Sequence, residues 1–367
     1  MSRRARRVGV IATLFLGANA CVAPDARGLG PGAPRPLLGL AIEPAAATGR
    51  WRLVEGPRVL AEGSRAECRA RRLELAEARA GSGRPNLPFP TLGGKQVWAD
   101  LVIASGWRVQ RNVLTGHHRL LDPGDVRRAW GSEAACRVAL ERERVARGLG
   151  PRGRHAVVLL HGLIRAKDMW GDMAEALEAA GYEVVTVNYP STRAPLRVHA
   201  AQLQGVLDEL EGVDAVSIVT HSLGGLVARV ALASEDSPGG WRDRVRLNGV
   251  VMIFPPSQGS VLAESWGENP LFRALMREVG QEVRPARAQR LPRPPCRFTV
   301  LAGGRGDGQG RSGAIPGDDD GTVAVAEARL AGGGLQVFDV GHTFGVNDPA
   351  VVAATLAFLA DDPDAGR

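Results

Sequence analysis

Beyond residue 154 the chain alternates short apolar runs with amphipathic stretches. Ala156–Leu160, Glu183–Asn188, Ala215–Thr220, Val245–Phe254, Phe298–Ala302 and Leu335–Val340 read as strands. Where the apolar residues run on without alternation, as in Ala156–Leu160, the strand is expected to be covered on both faces. Met169–Ala180, stopped by Gly181, Leu196–Leu210, Leu223–Ser234 and Asp348–Leu359 read as helices between and after them. Strands alternating with helices predict an α/β domain with a mostly parallel sheet and helices on both faces. Right-handed crossovers then gather the C-terminal strand ends at one edge, where ligands bind.

The first 150 residues follow a different pattern. Gly63-Ser64 is followed by Cys68-Arg69 and an Ala/Glu/Arg-rich run to Ala80, and Gly131-Ser132 is followed by Cys136-Arg137 and a similar run to Ala146. Upstream of each, Trp51-Arg52-Leu53-Val54 resembles Trp107-Arg108-Val109-Gln110. The expectation is a small α+β region made of two weak repeats, each of two short strands and a helix. Two copies suggest a recognition or covering module, with no catalytic constellation of its own. Gly81–Pro90, with three prolines, reads as a stiff loop between them, and Gly148–Arg154 reads as a linker. The predicted organisation is residues 1–20, residues 21–150 and residues 151–367.

Composition changes this picture little. With 44% hydrophobic and 23% charged residues the 367-residue chain is an ordinary globular protein, long enough for a large core. Of 46 basic residues only Lys95 and Lys167 are lysine, a bias that looks like GC-rich coding. Net charge is +7, and Arg3, Arg4, Arg6 and Arg7 supply four of it. With aromatics at 5% and no basic stripe, the sequence gives no support for nucleic-acid binding.

Those four arginines open a secretory-type leader. Val8–Gly17 is a short apolar run, and Ala18-Asn19-Ala20 is a cleavage pattern just before Cys21. Cys21 stands where a bacterial lipoprotein carries its lipid, although Ala18 replaces the usual leucine. Export to the cell envelope or beyond is expected, and membrane attachment through a lipidated Cys21 is an open alternative to a free periplasmic or secreted form. An oxidising destination permits a disulfide, and the matching contexts of Cys68 and Cys136 make them the favoured pair. No zinc-type cysteine–histidine spacing occurs, so neither a metal nor a cofactor is expected.

The chemistry gathers at the strand ends. Strand Ala215–Thr220 runs into His221-Ser222-Leu223-Gly224-Gly225 and then a helix. This resembles the nucleophile elbow of the α/β-hydrolase family, in which serine sits on a strained strand-to-helix turn between small neighbours. Thr220 replaces the first glycine of that motif. Strand Ala156–Leu160 ends in His161-Gly162-Leu163, similar to the family's lipase H-G loop. The resemblance implies an α/β-hydrolase fold over residues 151–367, with Ser222 as nucleophile and the Leu163 and Leu223 amides as the oxyanion hole. It also implies a base and an acid in the order Ser, Asp, His. His342, in Val340-Gly341-His342-Thr343-Phe344, fits the base. Asp318-Asp319-Asp320-Gly321 offers the acid, with Asp320 preferred and Asp319 as the alternative. Phe254–Ser260 is similar to a P-P-x-x-G-S stretch of lipase-like members. The insertion after it, to about Cys296 with Trp266, Leu271, Phe272, Leu275 and Met276, reads as an apolar cap.

Such a protein is expected to be an exported serine hydrolase that cleaves a small-molecule or lipid carboxylic ester, an esterase or lipase, through an acyl-enzyme on Ser222. An acyltransferase or amidase on the same residues is the alternative within this chemistry. A non-catalytic envelope binding module is the alternative outside it. Gly303–Gly313 reads as a mobile loop ahead of the acid, and Asp318 with Asp319 could alternatively hold calcium.

Overall fold

The computed structural model describes residues 36–361 except 46–47, 81–84, 92, 234–239, 267–268 and 270–277. The leader, Cys21, and Leu271, Phe272, Leu275 and Met276 of the expected cap lie outside the described residues. Among the described residues no helix is long and apolar enough to cross a membrane.

Two antiparallel units come first. Strands β1 (Leu40–Ala45), β2 (Arg50–Glu55) and β3 (Arg58–Gly63) form one sheet in chain order, followed by helix α1 (Arg65–Ala80). Strands β4 (Trp98–Ala104), β5 (Trp107–Asn112), β6 (His118–Leu121) and β7 (Arg127–Gly131) form the second, followed by α2 (Glu133–Arg147). The units therefore have three and four strands rather than two each. The extra strands are short and mixed in polarity (β6 is only His-Arg-Leu-Leu), so no period of two marks them. Both helices start at the repeated serine. The Ser132 hydroxyl accepts the Ala135 N–H at 3.2 Å. Ser64 does the same for Glu67 at 3.2 Å, while the Glu67 carboxylate takes the Ser64 N–H at 2.7 Å. Reciprocal capping of this kind satisfies two orphan amides at once.

The expected Cys68–Cys136 disulfide is not formed; both thiols are free. Each cysteine sits one turn into its helix on the face turned to its own sheet. Cys68 packs with Leu40, Ile42 and Leu53, and Cys136 with Val102, Trp107 and Val109. Matching contexts thus send the two thiols into two different cores. Burial pushes the Cys136 thiol up to about 12 and the Cys296 thiol up to about 11, so neither is a thiolate near neutrality.

The rest of the chain builds one six-stranded parallel sheet. Strands β8 (His155–Leu160), β9 (Glu183–Val187), β10 (Ala215–His221), β11 (Arg246–Ile253), β12 (Phe298–Gly303) and β13 (Gly334–Phe338) lie in the order β13-β12-β11-β10-β8-β9. Every pairing is parallel. Helices α3 (Gly171–Ala179), α4 (Leu196–Asp208) and α5 (Leu223–Ala233) and a closing helix, Pro349–Ala360, complete the frame. The expected helix at Met169 is split, because a short 3-10 turn, Lys167–Trp170, precedes α3.

Strand alternation sorts the core into two layers. Val157, Leu159, Val219, Val251 and Ile253 face α3 and the closing helix, through Trp170, Met173, Leu177 and Val351. Ala156, Val158, Leu160, Ile218 and Val250 face α4 and α5, through Leu203, Val206, Leu226 and Val227. Both faces are apolar, which is why these strands have no polar alternation in sequence.

The second N-terminal unit lies against the β9 edge of this sheet. Ile103 of β4 joins the α4–α5 layer. Beside it is a buried polar network. The Asp100 carboxylate takes the Asn188 N–H at 2.7 Å and Arg108 at 2.6 Å, and Gln202 donates to the carbonyls of Asp100 and Asn188 at 3.0 and 2.8 Å. Further along, Arg69 of α1 bridges Glu141 of α2 at 2.7 Å and Glu211 after α4 at 2.5 Å, and Arg72 reaches Glu141 at 2.7 Å. These arginines, which composition alone left as a coding bias, are internal partners.

Candidate active site

Strand β10 points Ser222 out of the sheet edge through a forced turn. Ser222 has φ +52°, the left-handed region that disfavours a side chain. The turn closes because Gly224 has no Cβ: one there would stand 2.6 Å from the Leu160 carbonyl oxygen and 3.0 Å from that of His161. Thr220 is fully buried in place of the family's first glycine. Its neighbour across the turn is Gly225, where a Cβ would lie 3.4 Å from the Thr220 hydroxyl and 3.1 Å from Pro255. The second glycine of the Gly224-Gly225 pair keeps space beside the larger residue.

His342 follows the edge strand β13 and meets the serine. Its Nε2 is 3.0 Å from Ser222 Oγ, and its Nδ1 is 2.7 Å from Asp320 Oδ2. Asp320 is 3% exposed, and its other oxygen accepts the Thr322 and Val323 N–H groups at 2.9 and 2.8 Å. A carboxylate in this position accepts a hydrogen bond from Nδ1–H, which keeps that proton on Nδ1 and leaves Nε2 to accept from a hydroxyl. The His342 backbone is fixed as well: its N–H donates to the Asp320 carbonyl at 2.9 Å, and its carbonyl lies 2.9 Å from His221 Nε2. Burial, and then the neighbouring His342, hold His221 well below its ordinary value, so it stays neutral and donates that bond.

The structure separates the three acidic candidates. Asp319 accepts from the Ser312 and Gly321 backbone, the latter at 2.6 Å. Asp318 accepts from Arg305 and Gly306 at 2.7 and 2.9 Å. Only Asp320 reaches His342 among them. The two others tie down the glycine-rich loop that the sequence suggested was mobile. Their carboxylates serve different backbone amides, and no group of three or more potential metal-binding side chains occurs among the described residues.

The H-G loop after β8 supplies the remaining piece. His161 is fully buried and stacked on Tyr189, with centroids 4.2 Å apart and planes 8° apart. Burial pushes it down to about 4, so it is neutral. Its Nε2 accepts the Tyr189 N–H at 3.2 Å, which makes Nδ1 the donor to the Gly162 carbonyl at 2.8 Å. Arg165 N–H donates to the same carbonyl at 3.2 Å. Gly162 O and Leu163 N–H belong to one planar trans peptide and point in opposite directions. Holding the carbonyl therefore aims the Leu163 N–H. The role of His161 as loop anchor was not read from sequence, where H-G marked only the position.

Ser222, Leu163 and Leu223 line a cavity of about 350 Å³ with Pro256, Leu262, Ala263, Val283 and Val323. The helix Val261–Trp266 of the expected cap contributes Leu262 and Ala263 to it. A second cavity, of about 370 Å³, lies between the N-terminal units and β9, lined by Arg65, Arg69, Arg144, Glu183 and Glu211. Among the described residues lining it, no nucleophile is paired with a base.

Fold and site together define the class. The chain belongs to the α/β-hydrolase family, whose model matches residues 157–355, more than half its length. No curated protein matches it. Among solved structures it is similar to a Bacillus licheniformis lipase in its mature form, 19% identical over 57% of this chain and 93% of that one, with TM-score 0.45. A metagenomic carboxyl esterase is 20% identical over 58% of this chain and 76% of that one, with TM-score 0.46. A phospholipase from Legionella pneumophila is 19% identical over 48% of this chain and 45% of that one, with TM-score 0.37.

Proposed function

We propose that the protein is a serine hydrolase of carboxylic esters acting through an acyl-enzyme on Ser222. The observation that carries this is the continuous chain Asp320–His342–Ser222, at 2.7 and 3.0 Å, ending on a strained serine in the wall of an apolar cavity. Ser222 Oγ attacks the ester carbonyl carbon while His342 Nε2 takes its proton. The carbonyl oxygen becomes an oxyanion, met by the Leu163 and Leu223 N–H groups. Collapse expels the alkoxide, which takes the proton back from His342, and leaves the acyl group on Ser222. Water then attacks with the same base, and the acid leaves. Asp320 holds the imidazole in the required tautomer and favours its protonated form during each transfer.

The apolar cavity suits an acyl chain, and Ile164 and Phe344, 53% and 84% exposed, stand one residue from Leu163 and two from His342. A lipid or similarly apolar ester fits this surround. A silent hydrolase fold would be expected to turn the imidazole away from the serine, whereas the two are within hydrogen-bond distance. Transfer of the acyl group to an alcohol or amine would use the same residues. The leader pattern and Cys21 support an exported protein, held in the cell envelope in a periplasmic or lipid-anchored form or else secreted, with residues 21–150 and 151–367 as its two parts.

The test is turnover of p-nitrophenyl esters of graded chain length, with Ser222→Ala as control, together with labelling by a fluorophosphonate probe. Turnover lost in Ser222→Ala and a label on Ser222 are expected. Equal turnover in that variant, or well-folded protein that the probe leaves unmodified, sinks the reading. Fractionation with a Cys21→Ser comparison tests envelope attachment.

A further inference from the structure

We propose that the turn 93–97 of the second N-terminal unit forms part of the hydrolase's catalytic apparatus, with Gln96 as a positioning residue for the oxyanion loop. The inference rests on the ester-hydrolase reading above and gives the N-terminal units a part in it. Gln96 is bonded both to the loop that carries the Leu163 amide and to the segment after β9 that supports that loop. Its Nε2 donates to the Arg165 carbonyl at 3.0 Å. Its Oε1 accepts from the Ser191 and Thr192 hydroxyls at 3.3 and 3.2 Å. Ser191 is fully buried, and its oxygen in turn accepts the Ile164 N–H at 2.9 Å.

The residue held by that last bond needs holding. Ile164, immediately after Leu163, has φ +62°, a strained conformation for a β-branched residue. His161 fixes the carbonyl side of the Leu163 peptide from within the hydrolase domain, and Ser191, backed by Gln96, fixes the next amide. An oxyanion donor is effective only when its direction is set before the charge develops. A surface loop with a left-handed isoleucine is not set without such partners.

The turn is itself built to reach. Gly93, Gly94 and Gln96 all have positive φ, at +68°, +94° and +56°. A Cβ on Gly94 would lie 2.6 Å from Trp98 Cβ. Two further links join the same segments. The Asn188 side chain accepts the Lys167 N–H at 2.8 Å and donates to the Gly93 carbonyl at 2.9 Å. Lys95 pairs with Asp168 at 2.6 Å and Lys167 with Asp125 at 3.0 Å. The only two lysines of the chain thus both lie at this junction.

The experiment compares full-length wild type, Gln96→Met, Gln96→Glu and, as a module-surface control, Arg142→Ala. It measures kcat, KM, thermal midpoint and the affinity of an aryl boronic acid, which forms a tetrahedral adduct on the serine. Gln96→Met is expected to lower kcat about 10- to 100-fold, below the effect of removing an oxyanion donor outright. Its KM should hold within about threefold, and boronate affinity should fall in parallel with kcat/KM. Gln96→Glu keeps the acceptor for Ser191 and Thr192 but loses the donor to Arg165, so an intermediate loss is expected; it also decides the matter if Gln96→Met does not fold. Wild-type kcat in the Gln96 variants, or a fall in kcat with unchanged boronate affinity, overturns the proposal while leaving the hydrolase reading intact. A wild-type protein that neither turns over esters nor takes the fluorophosphonate label overturns both.

Discussion

The two halves of this molecule are held by different forces. The hydrolase half is a sheet whose inner strands are apolar on both faces, and it carries the linked polar side chains Asp320, His342 and Ser222 beyond the strand ends. The N-terminal half has two small apolar cores and attaches to the other half largely through arginine, glutamate, aspartate and amide side chains. Backbone strain also divides unevenly in its use. Among the described residues of the hydrolase half, positive φ at a residue other than glycine falls on Ile164, Ser222 and Phe254, all at or beside the site. The lesson is that apolar burial builds the platform there, whereas polar bonding decides where the covering units sit.

The comparison can be broken or sharpened experimentally. The largest effect is expected at Ser222→Ala, which should lower kcat by on the order of 10⁶ with the fold intact, as seen by ester turnover and circular dichroism. Asp320→Asn should cost about 10⁴ in kcat by leaving His342 in the wrong tautomer. Asp319→Asn should cost far less, since its carboxylate accepts from the backbone amides of Ser312 and Gly321 and does not reach His342. Equal losses in the two would erase the distinction between the acids. Next is the junction. Glu141→Gln leaves Arg69 and Arg72 facing each other without their shared carboxylate, and should destabilise the protein by about 3–5 kcal/mol in urea titrations.

Acid should separate the halves by pH. In the hydrolase half, burial depresses His161 and His199 from 6.5 to about 4. Below pH 6.5 the unfolded chain takes up protons that the folded chain refuses, so stability falls as pH drops to about 4. The slope is up to about 1.4 kcal/mol per pH unit for each histidine. At the junction, burial would raise Glu211, but Arg144, Arg69 and Arg72 outweigh it and hold the carboxyl at about 2 against an ordinary 4.5. Its contribution is complete above pH 4.5 and is lost as pH falls from there toward 2. Burial lowers His118 of the N-terminal half as well, but one histidine there stands against His161 and His199 together, so hydrogen exchange at stepped pH should show the hydrolase half loosening first. Protection lost first in the N-terminal half would reverse the comparison. The smallest effect is expected at Arg142→Ala, whose partner Glu77 is exposed like itself; that pair should contribute under about 1 kcal/mol by thermal melting.

Much of the hydrolase half was legible in sequence. Ala156–Leu160 and Ala215–Thr220 are found within one residue at each end, because unbroken apolar runs of strand length leave little choice of structure. Ser222 and His342 could be named because each stands in a short motif just past a strand, and Asp320 because an acidic cluster ending in glycine lies between them in the family's order. The N-terminal half was legible only as two helices with repeated starts. Its short strands have no clean period, and the matching cysteines pointed to a disulfide that the two separate cores forbid. Gln96 and Ser191 carry no local signal: one is a turn residue and the other lies after β9, 95 positions away.

The sequence by itself determined the elements of the parallel sheet, the elbow at Ser222 and the order of the residues around it, because these depend on local periodicity and on neighbours along the chain. The tertiary structure alone decided which aspartate meets His342, which thiols stay apart, and which turn of the N-terminal half reaches the loop after β8. Hydrogen bonds and ion pairs act only over a few ångströms, so their partners are chosen by packing, and distance along the chain does not encode them.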